Sequence, residues 1–281
     1  MASMRDIKRR RASIQSTQQI TKAMKLVSTV KLQKARKRAE DSQSYFECMY
    51  QTMTSLLAKA KGTEHPYVKS NGCDKKAVVV VTSNRGLAGG YNSNIVKLIT
   101  SGDFEKENTR IYAVGSKGSE LLRNRGYEVA YDYSEVIDEP CYEDARVITN
   151  QILEDFENGE IGEIYVAYTF FKNTVSHIPT LLKVLPVEES DEEISEIPMN
   201  FEPNEEEVIG LLVPKYISSI LFGAFTEAVA SENGARMQAM DSATSNAEEI
   251  INDLTLKYNR ARQGSITQEL TEIIAGADAI S

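Results

Sequence analysis

Two glycine turns are the places where residue type and spacing invite chemistry. Arg85-Gly86-Leu87-Ala88-Gly89-Gly90 follows the apolar run 77–81, where a dinucleotide fold would carry its phosphate-binding glycines, and Gly115-Ser116-Lys117-Gly118-Ser119 follows a second apolar run. Neither has the spacing that a phosphate cradle needs. The first is not GxGxxG, and the second lacks the long interval that ends in Gly-Lys-Ser/Thr. Each glycine is therefore read as permitting a tight strand-to-helix turn, with Arg85, Gly86, Gly89 and Gly90 as structural turn residues. Cys48, Cys73 and Cys141 are scattered without CxxC spacing, and His65 and His177 stand alone, so neither a disulfide framework nor a zinc site is expected. GxSxG and HExxH are absent, and the many carboxylates are not paired by any spacing. The expectation is a chain with no catalytic residue, cofactor or metal of its own.

The elements that would position such turns are unusual in length. Residues 1–61 contain neither Pro nor Gly, and residues 215–281 contain no Pro. Read as helices at about 1.5 Å per residue they would extend roughly 90 and 100 Å, against a diameter near 40 Å for a compact middle domain. Helices of that length cannot pack on such a domain throughout, so they are expected to pack on each other. Met240, Ala243, Ala247, Ile250, Leu254, Tyr258 and Ala261 follow at steps of three and four, and beyond Gly264 come Ile266, Leu270, Ile273 and Ala277. Ile20, Ala23, Val27 and Val30 make the matching stripe in the first segment. Pro214 is expected in the first turn of the last helix. The seam is rich in Ala and Met, and glycines at 223, 234, 264 and 276 each weaken a helix by up to about 1 kcal/mol relative to Ala, so part of this shaft is expected to need a surrounding partner.

Between these segments the pattern changes to that of an α/β domain. Strands are expected at 77–82, 111–114, 164–171 and 178–185, with helices at 93–100, through Leu121 and Leu122 to Gly126, and at 142–156. This alternation predicts a small, parallel-rich sheet with helices on its faces. The fold class is thus α/β: a long antiparallel coiled coil of N- and C-terminal helices plus a central Rossmann-like α/β domain. The expected division is 1–61, 62–213 and 214–281. Residues 188–207 hold ten acidic residues and no basic one, and read as an exposed loop. No uninterrupted apolar run approaches the ~20 residues that span a bilayer, and residues 1–11 are too charged for a signal peptide.

Charge is segregated. Residues 1–40 carry a net +10, whereas the whole chain is −9, which leaves −19 after residue 40. A basic helix on an acidic protein suits an acidic partner surface, a nucleic acid, or simple solvation of a long helix. The absence of aromatics from residues 1–40 weakens a single-strand stacking model and leaves duplex binding open.

Five blocks of sequence carry a resemblance. They are Ile7-Lys8-Arg9-Arg10; Thr17-Gln18-Gln19-Ile20-Thr21-Lys22-Ala23-Met24-Lys25-Leu26-Val27; Asn84-Arg85-Gly86-Leu87-Ala88-Gly89-Gly90-Tyr91-Asn92; Ala230-Ser231-Glu232-Asn233-Gly234-Ala235-Arg236-Met237-Gln238-Ala239-Met240; and Asn259-Arg260-Ala261-Arg262-Gln263-Gly264-Ser265-Ile266-Thr267-Gln268-Glu269-Leu270. In this order, and across essentially the whole chain, they resemble the gamma subunits of bacterial F-type ATP synthases. The resemblance implies a non-catalytic rotor whose terminal helices form a shaft inside a hexamer of three alpha and three beta subunits. Its α/β domain would sit at the foot with epsilon and the membrane ring of c subunits. It implies no cofactor and no nucleic acid, and a peripheral place on the cytoplasmic face of the plasma membrane. It also implies that Met24, with Lys22 and Lys25, faces the acidic lever of a beta subunit, and that Arg262, Gln263, Thr267 and Glu269 engage the beta catch loops. Arg9 and Arg10 fit the basic start of the shaft. The chain departs from the family pattern at Asn84, usually Asp, and at Gly264, usually Ala.

Overall fold

The computed structural model describes residues 4–59, 65–67, 72–186 and 204–278. In order these form α1 (Met4–Lys59), β1 (Lys76–Val81), α2 (Tyr91–Thr100), β2 (Thr109–Val114), α3 (Ser116–Arg123), β3 (Glu128–Asp132), α4 (Tyr142–Glu157), β4 (Glu163–Phe171), β5 (His177–Leu185) and α5 (Glu205–Asp278). The chain divides into two compact units, Thr29–Arg236 and the pairing of Met1–Ser28 with Met237–Ser281. These divisions fall inside α1 and α5, at 28/29 and 236/237.

In the unit Thr29–Arg236 the sheet has the order β3-β2-β1-β4-β5. β1 pairs in parallel with β2 and β4, β2 pairs in parallel with β3, and only β5 is antiparallel, as the return strand after β4. The run Ala77-Val78-Val79-Val80-Val81 is wholly buried because β1 is central and both sheet faces are covered. On one face Val78, Val80, Ile111 and Ala113 meet Ile95, Ile99 and Leu122 from α2 and α3. On the other, Val79, Val81, Tyr112 and Val114 meet α4 and the first part of α5. β3 escaped the sequence reading, since Glu-Val-Ala-Tyr-Asp is a short, half-exposed edge strand with charged ends.

α5 begins nine residues before Pro214, which lies inside the helix. Asn204 starts it, its Oδ1 accepting the Glu207 N–H at 2.9 Å. An interior proline costs about 3 kcal/mol through its missing N–H and its ring clash. Ile209, Val213, Ile217, Leu221 and Phe225 form a buried stripe running past it, and at about 1.5–3 kcal/mol per buried side chain that stripe outweighs the proline. This stripe also makes α5 apolar enough to cross a bilayer by length and composition, and its apolar face packs into the sheet core. Residues 188–203 of the expected acidic loop lie outside the described residues, and Asn204 with the three glutamates after it opens α5.

In the second unit α1 and α5 run antiparallel. Cross-helix pairs join Arg11 to Tyr258, Thr21 to Thr244 and Lys25 to Asp241, stepping in opposite directions along the two helices. The α5 seam is close to that expected, with Met240, Ala247 and Leu254 buried, except that Ile250 is exposed. The α1 seam differs from the expectation. Ile20, Val27 and Val30 are 57%, 57% and 65% exposed, and Ala23 is exposed too. The inward positions are instead Thr21 and Ser28, flanked by half-buried Ile14, Gln18, Met24 and Lys25. Small hydroxyl residues let the backbones approach and satisfy their hydroxyls on helix carbonyls, as Thr21 does on Gln18 O at 3.0 Å. The apolar stripe is left facing outward. Residues 266–278 of α5 are all exposed, a length of about 20 Å.

Candidate functional site

The Gly86–Gly90 turn lies at the C-terminal end of β1, where the strand order reverses between β1 and β4. In doubly wound folds this crevice holds the ligand. Here it is filled by α5. Tyr91 Oη donates to Ala228 O at 3.2 Å, Ser231 Oγ donates to Thr169 O at 2.9 Å, and Arg236 Nη2 donates to Arg85 O and Gly86 O at 3.4 and 3.3 Å. Glu232 holds the guanidinium from the next helical turn at 2.7 Å, both side chains being largely buried. Burial pushes the Glu232 carboxyl up, and Arg236 opposes that rise. The carbonyls of Arg85 and Gly86 thus serve as acceptors for an internal cation. Leu87 and Gly89 adopt the left-handed region, with φ of 62° and 56°, which closes the turn tightly.

The second glycine turn is equally occupied. The first N–H groups of α3 are directed inward: Ser116 N–H to Asn84 Oδ1 at 2.9 Å, Lys117 N–H to Ser83 O at 3.1 Å and Gly118 N–H to Thr82 Oγ1 at 2.8 Å. No donor of that first turn remains for a phosphate. A Cβ on Gly115 would stand 2.1 Å from Thr82 O and one on Gly118 2.5 Å from Thr82 Oγ1, so both glycines serve close packing of α3 on β1. Asn84 makes use of being an amide, since its Nδ2 also donates to Ser134 O at 2.7 Å. An aspartate there could accept from Ser116 but could not make the second bond.

Elsewhere in this unit a cleft of about 660 Å³ opens among Arg36 and Glu40 of α1, the β4–β5 turn and Ser219 to Ala230 of α5. Glu227 lines it, and burial pushes that carboxyl up to about 7 against a backbone hydrogen bond from Phe171. Among the described residues no group of His, Cys, Asp and Glu is arranged to hold a metal ion. His65 and His177 are both held below the usual histidine value by burial, and His177 Nε2 stands 2.5 Å from where a Cβ on Gly234 would be.

In the helical pair, most of the residues singled out from the sequence are solvent-facing. Arg9, Arg10 and Lys22 are exposed, Met24 is half-buried, and Arg9 lies 3.4 Å from Asp6. Lys25 Nζ lies 2.5 Å from Asp241 Oδ1, a partner on α5 that the sequence reading did not assign. Arg262, Gln263, Thr267 and Glu269 are exposed at the free end of α5. There Thr267 Oγ1 donates to Gln263 O at 2.9 Å, and Ser265 Oγ to Glu269 Oε1 at 3.4 Å. These polar groups share the helix end with exposed Ile266, Leu270, Ile273 and Ile274. The arrangement presents a long, exposed surface of mixed polar and apolar side chains.

Comparison with known proteins is consistent along the whole chain. A family profile described as ATP synthase matches residues 3–280. An ATP synthase gamma chain of Lachnoclostridium phytofermentans is 60% identical, covering 100% of both chains. One of Alkaliphilus metalliredigens is 42% identical over 99% of this chain and 98% of its own length. A sodium ion specific gamma chain of Acetobacterium woodii is 39% identical over 99% of each. Among solved structures, a chain of the Euglena gracilis mitochondrial ATP synthase superposes with a TM-score of 0.72 at 19% identity, covering 99% of this chain and 94% of that one, and shows the same fold. With a full-length profile match and full-length relatives at this identity, the chain belongs to the ATP synthase gamma chain family.

Proposed function

We propose that this chain is the central-stalk rotor of an F-type ATP synthase, coupling transmembrane ion flow to ATP synthesis and hydrolysis without catalysing either itself. The observation that carries the reading is the inverted helical pair. α1 turns Thr21 and Ser28 inward and Ile20 and Val27 outward, and α5 continues as a bare amphipathic end. Such a pair is built to be enclosed by a partner that supplies the missing apolar surface. Three alpha and three beta subunits would form that enclosure, with epsilon and the c-ring at the α/β domain. In this arrangement Lys22, Met24 and Lys25 lie at the level of the beta lever, Arg9 and Arg10 begin the basic end, and Arg262, Gln263, Thr267 and Glu269 meet the beta catch loops. Arg85 and Gly86 are structural, since Arg236 of α5 binds their carbonyls, and so are Gly89, with its φ of 56°, and Gly90, whose carbonyl accepts the Asn94 N–H of α2.

The mechanism is differential contact. A shaft without threefold symmetry presents different side chains to three identical beta subunits, and each takes the conformation that its own contact favours. Rotation moves each contact to the next subunit, so binding, synthesis and release follow in turn. The chain is peripheral to the membrane through the complex, and we place it on the cytoplasmic face of a bacterial plasma membrane.

Reconstitution tests this. The chain is mixed with purified alpha and beta subunits of its organism, the products are separated by gel filtration, and ATP hydrolysis is assayed. One copy per three alpha–beta pairs with raised multi-site turnover is expected. Folded subunits that fail to assemble, together with salt-sensitive binding of this chain to duplex DNA, would move the basic helix to a nucleic-acid role.

A further inference from the structure

We propose that Lys25–Asp241 and Thr21–Thr244 together form a register lock that fixes the axial position of α1 against α5, and that Lys25 acts through Asp241 and not on an outside partner. The inference rests on the rotor reading for its functional consequence and on the helical pair alone for its structural content. The two Thr hydroxyl oxygens are 2.8 Å apart across the seam, and Lys25 Nζ meets Asp241 Oδ1 one turn away. Thr21 Oγ1 also lies 3.0 Å from Gln18 O and Thr244 Oγ1 2.7 Å from Met240 O; with two protons for these three contacts, one hydroxyl donates to its own helix and accepts from the other across the seam.

A lock is needed because the rest of the seam specifies little. Ala243, Ala247, Ser28 and half-buried Met24 are small or adaptable, and a layer of such residues is nearly the same after a shift of one turn. A sliding of three or four residues would set Lys25 against Thr244 or Met237, and Thr21 against Ala247 or Met240. The charge would lose its partner and the buried hydroxyl its cross-helix bond, while the apolar layers would change little. Polar seam residues in coiled coils set register in this way, at some loss of stability. The lock sits beside Met24. A slip of one turn there would move the proposed lever-contact surface by about 5.4 Å.

Two measurements separate the lock from the rotor reading. In the full chain alone, with Cys48, Cys73 and Cys141 changed to Ser, Thr21→Cys with Thr244→Cys is expected to form an intramolecular disulfide under mild oxidation. Lys25→Asp or Asp241→Lys added to that background should slow its formation, and the two together should restore it. In assembled enzyme in vesicles without the cysteine pair, each single reversal is expected to lower ion pumping per ATP hydrolysed by up to about fivefold, the ceiling set by about 1 kcal/mol for a part-exposed pair. The double reversal should recover most of that loss, as a pairwise interaction requires. Absence of the disulfide, or a double reversal no better than the worse single one, overturns the lock. In the second case Lys25 meets an outside partner directly. Failure to assemble, with normal crosslinking, would count against the rotor reading and leave the lock standing.

Discussion

The two units of this molecule use the same two helices in opposite ways. Between Thr29 and Arg236, α5 buries Ile209, Val213, Ile217, Leu221 and Phe225 against a sheet that is itself covered on both faces. From Met237 to Asp278 the same helix buries Met240, Ala247 and Leu254 and, among the described residues, none beyond them. Helical stability comes mainly from tertiary packing of an apolar face, so one unit stabilises itself and the other is held by small and polar contacts. A helix can therefore serve as core in one stretch and as a presented surface in the next, with no break between them.

The contrast has its largest expected consequence in hydrogen exchange. Amides at 213–228 should exchange only by global opening, and those at 266–278 almost freely, a difference of at least about 10³-fold in the isolated chain. Equal protection in the two stretches would erase the comparison. Next in size is the core itself. Phe225→Ala should lower the chain's unfolding free energy by about 3–5 kcal/mol in denaturant titration, whereas Ile273→Ala, at a fully presented position, should change it by less than about 0.5 kcal/mol.

A smaller effect sharpens the comparison through pH. Glu227 has a pKa raised from 4.5 to about 7 in the folded chain, so the folded state binds the extra proton between those values. Stability from this group is therefore full below about pH 4.5 and is lost as pH rises through 7, by roughly 3 kcal/mol at most. Thermal melts at pH 5.5 and 8 should show the decline, and Glu227→Gln should flatten it. Smallest is Gly264→Ala. A Cβ there meets nothing within 4 Å, so helicity at the free end of α5 should rise by up to about 1 kcal/mol, read by circular dichroism of the isolated chain.

Legibility from sequence follows the same division. The strands β1, β2, β4 and β5 were readable because buried β-branched runs have few other uses, whereas β3, with Val129 and Tyr131 between charged ends, had no such run. The exposed end of α5 is legible in kind, but its start reads as Pro214, because a proline is a stronger local signal than an apolar stripe crossing it. The α1 stripe misleads for a deeper reason. Periodicity reports which residues share a face, not whether that face meets the same chain or another one. Ile20 and Val27 do share a face, and it points away from α5. For the site, the exposed groups at 262–269 could be named only through family resemblance, since nothing local distinguishes them from solvated helix. Asp241 and Arg236 are not legible as partners, because their contacts with Lys25 and with the turn join distant parts of the chain.

The bonds from Tyr91 to Ala228, from Ser231 to Thr169 and from Arg236 to the turn make a hub around a spline. In the proposed rotor, twisting load borne by α5 leaves the helix through these few side chains into β4, the turn after β1 and the start of α2, and the largely buried Glu232–Arg236 pair stiffens the last tooth. A crevice that in other proteins holds a cofactor has become, in this one, a mechanical seat.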